Sequence, residues 1–128
     1  NISGVVQIPY LPVNDFIKQV QGAEFCVLPL EPVPFSFGQM RLLQQMALRK
    51  CVIVSDAQSI LDYVENNQTV IVYESSNVEE LKKQMNFLCN DLTTRKRIEK
   101  AAYEFVKQDC NEKNMAERIE CFFETVLK

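Results

Sequence analysis

The fold is decided by residues 25–56, which read FCVLPLEPVPFSFGQMRLLQQMALRKCVIVSD. Apolar runs at 25–28 and 52–54 predict two buried strands. Between them, a proline-rich loop ends at Gly38, and a helical pattern follows from 39 to 49. Its inward face is predicted to carry Met40, Leu43, Met46 and Ala47. This order predicts a parallel βαβ unit, which binds its ligand at the carboxyl ends of the strands, where a helix N-terminus suits an anion.

The flanking sequence continues the same alternation. Residues 4–8 and 70–73 predict further strands, and everything from residue 77 onward predicts helix. Asn77 with Glu80 is typical of a helix start. The last helix is predicted to align Met115, Ile119, Phe122, Phe123 and Val126. We therefore predict an α/β fold: a single domain over 1–128 with a Rossmann-like, mainly parallel sheet of four strands flanked by helices, and a helical C-terminal tail over 77–128.

Residues 42–53, LLQQMALRKCVI, resemble the donor-binding segment of family 4 glycosyltransferases, which typically reads Leu-Leu-Glu-Ala-Met-Ala-Cys-Gly-Lys-Pro-Val-Ile. Residues 61–64, 70–72 and 77–81 resemble the segments that follow it, in the same order. The resemblance implies a partial C-terminal domain of a GT-B fold. It implies retaining transfer of a sugar from a nucleotide-diphosphate donor to a saccharide or lipid-linked acceptor, through an N-terminal domain that this chain lacks. We therefore expect a longer parent enzyme, and no activity from this chain alone.

The resemblance also implies a donor site. Ser36, Phe37, Gly38 and Gln39 would form the turn that faces the sugar and the diphosphate, with Gly38 permitting close approach. Gln44 would stand where the family glutamate binds the ribose hydroxyls, and Ser36 where the family has a second glutamate. Glu31 could replace that missing carboxylate only if the loop folds back. The resemblance assigns no catalytic residue in this chain.

Neutral residues at both glutamate positions favour an alternative hypothesis. The chain would then be a non-catalytic α/β binding or interaction module that keeps the fold and offers its helical tail to a partner. A flavodoxin-like receiver domain is a third alternative, but no cluster of aspartates follows the early strands.

Composition excludes several classes of function. The chain has no histidine, which removes Ser-His and Cys-His nucleophile pairs and the zinc-hydrolase motif. We expect no metal and no cofactor, since the nucleotide sugar is the substrate. A net charge of −3 with interspersed signs gives no basic footprint, so nucleic acid is not an expected partner.

Two further features concern the compartment. The apolar runs are too short to span a bilayer, which favours a cytoplasmic location. A lipid-linked acceptor would bring the parent protein to the inner face of the membrane as a peripheral protein. The five cysteines are odd in number and show no Cys-x-x-Cys spacing, so they are predicted to be reduced thiols in the core.

Overall fold

A computed structural model of the chain describes residues 3–127, so the first two residues and the last residue of the predicted domain lie outside the described part. Its centre is a parallel sheet in the order β1-β2-β3, formed by Cys26–Leu28, Val52–Ser55 and Ile71–Tyr73. The helices are α1 (Val13–Gly22), α2 (Gln39–Ala47), a 3₁₀ helix (Gln58–Tyr63), α3 (Val78–Asn90), α4 (Leu92–Asp109) and α5 (Glu112–Val126). The predicted βαβ unit is confirmed as β1-α2-β2.

The central strand β2 is fully buried because it has a neighbour on each side. Cys26 lies opposite Val52 in the register with β1, and Ile53 lies opposite Ile71 in the register with β3. The predicted strand at 25–28 is in place, but Val27 and Leu28 are only half-buried, because β1 forms an edge of the sheet.

Residues 4–8 form no strand, contrary to the prediction. Val5 and Val6 are 63% and 83% exposed, and Gly4 has φ +81° in a turn. An apolar run becomes a strand only where its backbone N–H and C=O groups find a neighbouring strand. Within the described chain the sheet therefore has three strands rather than four.

Both faces of the sheet are covered. On one face, Leu42 and Met46 of α2 pack with Val52 and Val54, while Ile53 points to the opposite face. There Ile53 packs with Ile71 of β3, Leu88 of α3 and Ile98 of α4. Residues of a strand alternate between faces, so β2 contributes side chains to both cores. Helix α4 joins the two layers, since its Ala102 belongs to the first cluster and its Ile98 to the second.

Helix α2 buries a stripe that agrees only in part with the predicted one, since Met46 is buried and Leu43 partly buried as predicted. Leu42, Gln45 and Met46 are buried, at the i, i+3, i+4 spacing of one helix face. Met40 is 76% exposed and Ala47 is also exposed, so these two predictions were wrong. Met40 was predicted to face inward because its side chain is apolar, but no element of the described chain covers the side of α2 on which it lies.

The C-terminal helices start at polar caps. Asn77 Oδ1 accepts the Glu80 N–H at 2.9 Å, which confirms the predicted start of α3. Asp91 caps α4 and Asn111 caps α5 in the same way. Helix α5 buries none of its residues, and its predicted apolar face is 45–64% exposed.

The five cysteines differ in burial. Cys26 and Cys51 are buried, as predicted for core thiols, whereas Cys110 is half-buried and Cys89 and Cys121 are exposed on helices, contrary to the prediction. Burial raises the pKa of Cys51 to about 12, with a further contribution from the Glu99 carboxylate.

Candidate functional site

The loop between β1 and α2, residues 29–38, leaves the sheet at its carboxyl-terminal edge and is held at its start by a buried serine. Ser55, the last residue of β2, is 1% exposed. Its Oγ accepts the Leu30 N–H at 2.8 Å and donates to the Leu30 carbonyl at 2.8 Å. Both backbone groups of Leu30 are thus satisfied by one side chain, which fixes the loop where it begins.

The end of this loop is fixed by the 3₁₀ helix. Gln39 Nε2 donates to Ser36 Oγ at 2.6 Å and to the Ser59 carbonyl at 2.8 Å. In return, Ser59 Oγ donates to the Phe37 carbonyl at 2.8 Å. The turn at 36–39 is therefore held in one shape by three hydrogen bonds, two of which reach an element about twenty residues away in the chain.

Gly38 has a structural reason to be glycine. It lies immediately before α2 with φ +87°, a left-handed conformation that L side chains rarely adopt. A Cβ at this position would stand 2.6 Å from both Leu30 Cδ atoms. The two ends of the loop therefore pack against each other at Gly38, and its glycine is explained before any ligand is considered.

The first turn of α2 presents open backbone donors. Gly38 provides no side-chain cap, and the first hydrogen bond of the helix runs from Leu42 N–H to the Gly38 carbonyl at 3.0 Å. The N–H groups of residues 39–41 precede that bond and have no acceptor within residues 3–127. They point out of the carboxyl-terminal edge of the sheet, which makes this helix start a place for an anion.

Gln44 lies on the exposed side of α2, as a ligand-binding residue needs. Its Oε1 accepts from Arg41 Nη1 at 3.5 Å. The Arg41 guanidinium stacks over the Phe16 ring of α1, with Cζ 4.3 Å from the ring centroid. A cation in the first turn of a helix opposes the helix dipole. This unfavourable position of a cation could have marked Arg41 as a candidate functional residue from the sequence alone. Arg41 was nevertheless absent from the predicted site.

The structure brings some of the predicted site residues together and leaves others apart. Ser36, Phe37 and Gln39 are joined through hydrogen bonds, and Gly38 completes the turn. Phe37 is 49% exposed, so its ring is accessible. Glu31 is exposed, and among the described residues its carboxylate has no hydrogen bond or ion pair. Within residues 3–127 no hydrogen bond links Glu31 to Gln44.

Asp56 adds a carboxylate to the same edge of the sheet, which the sequence did not indicate. It follows β2 directly, and its Oδ1 accepts the Ser75 N–H at 2.8 Å beyond the end of β3. The Ser75 hydroxyl beside it and this N–H hold the pKa of the Asp56 carboxyl below its ordinary value. Asp56 is therefore ionised at neutral pH, and its charge would repel an anion placed next to it.

Within residues 3–127 no three histidine, cysteine, aspartate or glutamate side chains are grouped so that they could hold a metal ion. The expectation that no cofactor is needed stays a prediction. None of the described helices combines the length and the apolar character needed to cross a membrane.

Comparison with solved structures identifies the architecture. The chain is similar to a glycosyltransferase from Rickettsia africae ESF-5 (TM-score 0.72, 22% identity), covering 88% of this chain and 30% of that one. It is also similar to sucrose-phosphate synthase from Thermosynechococcus elongatus (TM-score 0.71, 18% identity), covering 85% of this chain and 27% of that one. The fold is that of a partial, Rossmann-like GT-B domain.

A third similar structure is the C-terminal domain of the glycosyl transferase group 1 family protein LpcC from Francisella tularensis. The TM-score is 0.70 at 17% identity, and the match covers 84% of this chain and 53% of that one. The chain thus spans about a third or less of the first two proteins and about half of the third. No match was found among curated protein sequences.

The family is given by the sequence itself. A family model described as "Glycosyl transferases group 1" matches residues 5–105, which include the whole sheet, the loop at 29–38 and α2. The match covers well over half of the chain, and the fold agrees with it. The chain belongs to the family of glycosyl transferases group 1.

Proposed function

We propose that this chain is the donor-binding part of a family 4, retaining glycosyltransferase. The parent enzyme would transfer a sugar from a nucleotide-diphosphate donor to a saccharide or lipid-linked acceptor. In this proposal residues 1–128 form one α/β domain with a helical tail at 77–128, and another part of the parent protein binds the acceptor. Binding of the donor belongs to this chain, and transfer belongs to the whole enzyme.

The observation that carries the proposal is the open start of α2 beside a fixed loop. Three backbone N–H groups without a capping side chain suit a doubly charged diphosphate. The loop next to them is held at Leu30 by Ser55 and at Phe37 by Ser59. A loop that is ordered before the ligand arrives loses little conformational freedom on binding, which favours affinity.

Most of the donor-site residues then have a role. Gly38 lets the backbone at the start of α2 lie close to the diphosphate, and Gln39 keeps the turn in shape. Phe37 offers an accessible ring to the sugar. Gln44 would hydrogen-bond the ribose hydroxyls as a neutral amide, and Arg41 beside it would add positive charge. Glu31 joins the site only if donor binding moves the loop.

Retaining transfer through departure of the diphosphate on the same face of the sugar needs positioned positive charge more than a protein base. The helix start and Arg41 would supply that charge in this chain. The lack of histidine is then no obstacle. The neutral Ser36 and Gln44 would lower the rate, by analogy with the loss of an oxyanion-hole donor, which costs about 2.7–4 kcal/mol of transition-state stabilisation.

A second function is favoured by two observations. Ser36 and Gln44 replace both carboxylates of the resembled pattern, and the apolar face of α5 is exposed. A binding module without transferase activity would keep the fold, lose donor affinity and use α5 for a partner. A measurement of donor binding distinguishes the two functions, because only the donor-binding domain of a transferase is expected to bind the nucleotide.

The test is a calorimetric titration of the protein with UDP, GDP and ADP in turn. We expect at least one nucleotide to bind. Ser59→Ala removes the hydrogen bond to the Phe37 carbonyl and should weaken that binding severalfold, up to about tenfold, because one neutral hydrogen bond contributes about 0.5–1.5 kcal/mol.

Thr125→Ala is the matched control. It removes a comparable hydroxyl bond, from Thr125 Oγ1 to the Cys121 carbonyl at 2.9 Å, on α5. It should leave nucleotide affinity unchanged. Binding of none of the three nucleotides, or an equal loss in Ser59→Ala and Thr125→Ala, would favour the binding module instead.

A further inference from the structure

An open pocket of about 520 Å³ lies at the opposite, amino-terminal edge of the sheet. The ends of α1 and α2 and the first half of α4 form its wall. Its charged side chains are Arg49, Lys50, Lys96, Glu99 and Lys100. Four cations and one carboxylate thus meet in one concave surface of a chain whose net charge is −3.

Arg49 occupies a position that favours glycine. Helix α2 ends in a Schellman motif, in which the Arg49 N–H bonds to the Met46 carbonyl and the Lys50 N–H to the Gln45 carbonyl, at 3.0 and 3.1 Å. Arg49 stands at the left-handed position of that motif with φ +59°. An L side chain is strained there, so the arginine must be stabilised by other contacts or retained for a function.

One such contact is visible. The Arg49 guanidinium stacks on the Tyr103 ring, with Cζ 3.8 Å from the ring centroid. Stacking uses the face of the guanidinium and leaves the N–H groups around its edge available. Within the described chain none of these donors has a hydrogen-bond acceptor or an ion-pair partner.

The other charges divide into paired and available groups. Lys50 Nζ donates to the Gln21 and Ala23 carbonyls, both at 2.8 Å, and so caps the end of α1. Lys96 Nζ lies 2.8 Å from Glu99 Oε2, which neutralises the buried carboxylate. Lys100 is exposed and has neither a hydrogen bond nor an ion pair among residues 3–127.

We propose that this pocket binds a phosphate group, either as a soluble phosphate or phosphomonoester or as the headgroup of an anionic lipid. The edge of the Arg49 guanidinium matches two phosphate oxygens, and Lys100 supplies a second positive charge from α4. Lys50 is held by two neutral carbonyls and keeps its charge, so it adds long-range attraction, whereas Lys96 and Glu99 neutralise each other. The site is separate from the donor edge, because the amino-terminal and carboxyl-terminal ends of the strands lie at opposite edges of the sheet.

The experiment is a titration of the protein with inorganic phosphate, followed by amide ¹H–¹⁵N chemical shifts. Resolved amides distinguish the two edges: Lys50 and Lys100 report the pocket, whereas residues 39–41 report the start of α2. We expect saturable shifts at the pocket amides. Lys100→Gln should weaken this binding about tenfold, the effect of one charge-assisted hydrogen bond.

Arg49→Gly is the second variant, and it is chosen because glycine relieves the strain at φ +59° and keeps the helix end intact. It should weaken phosphate binding to a similar extent. Lys83→Gln, which removes an exposed lysine of α3 outside the pocket, is the charge-matched control and should bind as the unmodified protein does.

Vesicle sedimentation separates the two sources of phosphate. Binding to phosphatidylcholine vesicles that contain phosphatidic acid, lost in Lys100→Gln, would identify a lipid headgroup. Binding of free phosphate without such vesicle binding would identify a soluble ligand. The proposal is overturned if neither probe binds at the pocket, or if Lys83→Gln weakens binding as much as Lys100→Gln does.

Discussion

Helices α2 and α5 have similar amphipathic sequences and opposite environments. In α2, Leu42 and Met46 are completely buried against the sheet and α4, and the exposed side carries Gln44, a residue of the proposed donor site. In α5, the apolar residues Ile119, Phe122 and Phe123 are 45–62% exposed. Hydrophobic periodicity therefore identifies which side of a helix is apolar, but says nothing of what covers that side.

The largest expected difference between the two helices is in thiol reactivity. Cys51 follows α2 at the start of the central strand, where burial raises its pKa to about 12, while Cys121 is exposed on α5. Only the thiolate reacts with alkylating reagents. At neutral pH we expect Cys51 to react at least about a hundredfold more slowly than Cys121. Mass spectrometry of peptides after timed iodoacetamide treatment measures both rates.

Denaturant provides the control for this prediction. In concentrated urea the environments are lost, so Cys51 and Cys121 should react at similar rates. Equal rates in the native protein would mean that the core around β2 opens readily, and the contrast between the two helices would then fail.

The second prediction compares packing. Leu42→Ala creates a cavity between α2 and the sheet and should lower the free energy of unfolding by about 2–5 kcal/mol. Phe123→Ala removes a larger side chain from the exposed face of α5 and should change it by no more than about 0.5 kcal/mol. Urea denaturation followed by circular dichroism gives both values. A comparable loss in Phe123→Ala would show that α5 is covered in solution.

Much of the fold could be predicted because it depends on local patterns. The apolar runs at 25–28 and 52–54, the loop ending at Gly38 and the cap at Asn77 each need only a few adjacent residues. The prediction of a strand at 4–8 was wrong because a strand also needs a neighbouring strand, and a local sequence pattern carries no information about that neighbour. The prediction that Met40 is buried was wrong because the elements that pack on α2 determine which of its sides is buried.

The turn at 36–39 was predictable in position, whereas the contacts that hold it were not. The turn at 36–39 could be located from a glycine before a helix. Ser55 and Ser59, which fix the loop, lie 25 and 22 residues from their partners Leu30 and Phe37. Such contacts exist only after the sheet has brought distant segments together, and a single sequence gives no sign of them.

The third prediction uses the exposed side of α2. Gln44→Glu restores a carboxylate where the resembled pattern has one, and a charged acceptor should hold the ribose hydroxyls more strongly. We expect nucleotide binding to become about tenfold tighter, which corresponds to about 1.4 kcal/mol. Gln68→Glu, the same change in the exposed turn before β3, should have no effect. Unchanged or weaker binding by Gln44→Glu would remove Gln44 from the donor site.

The smallest effect is expected from the helix caps in acid. Asp91 caps α4, and the Thr94 backbone N–H and then the Thr94 hydroxyl lower the pKa of its carboxyl. Because the pKa is lowered in the folded protein, the ionised cap stabilises the fold at pH values above the ordinary carboxyl pKa near 4. This stabilisation is lost as the pH falls through the lowered pKa of the folded protein. Helix α5 is capped by the neutral Asn111, so its cap has no such dependence. Asp91→Asn should therefore be less stable than the unmodified protein at about pH 6 and nearly equal to it at about pH 2 to 3. An equal gap in urea midpoints at both pH values would mean that the cap acts through hydrogen bonding alone and that its charge contributes nothing.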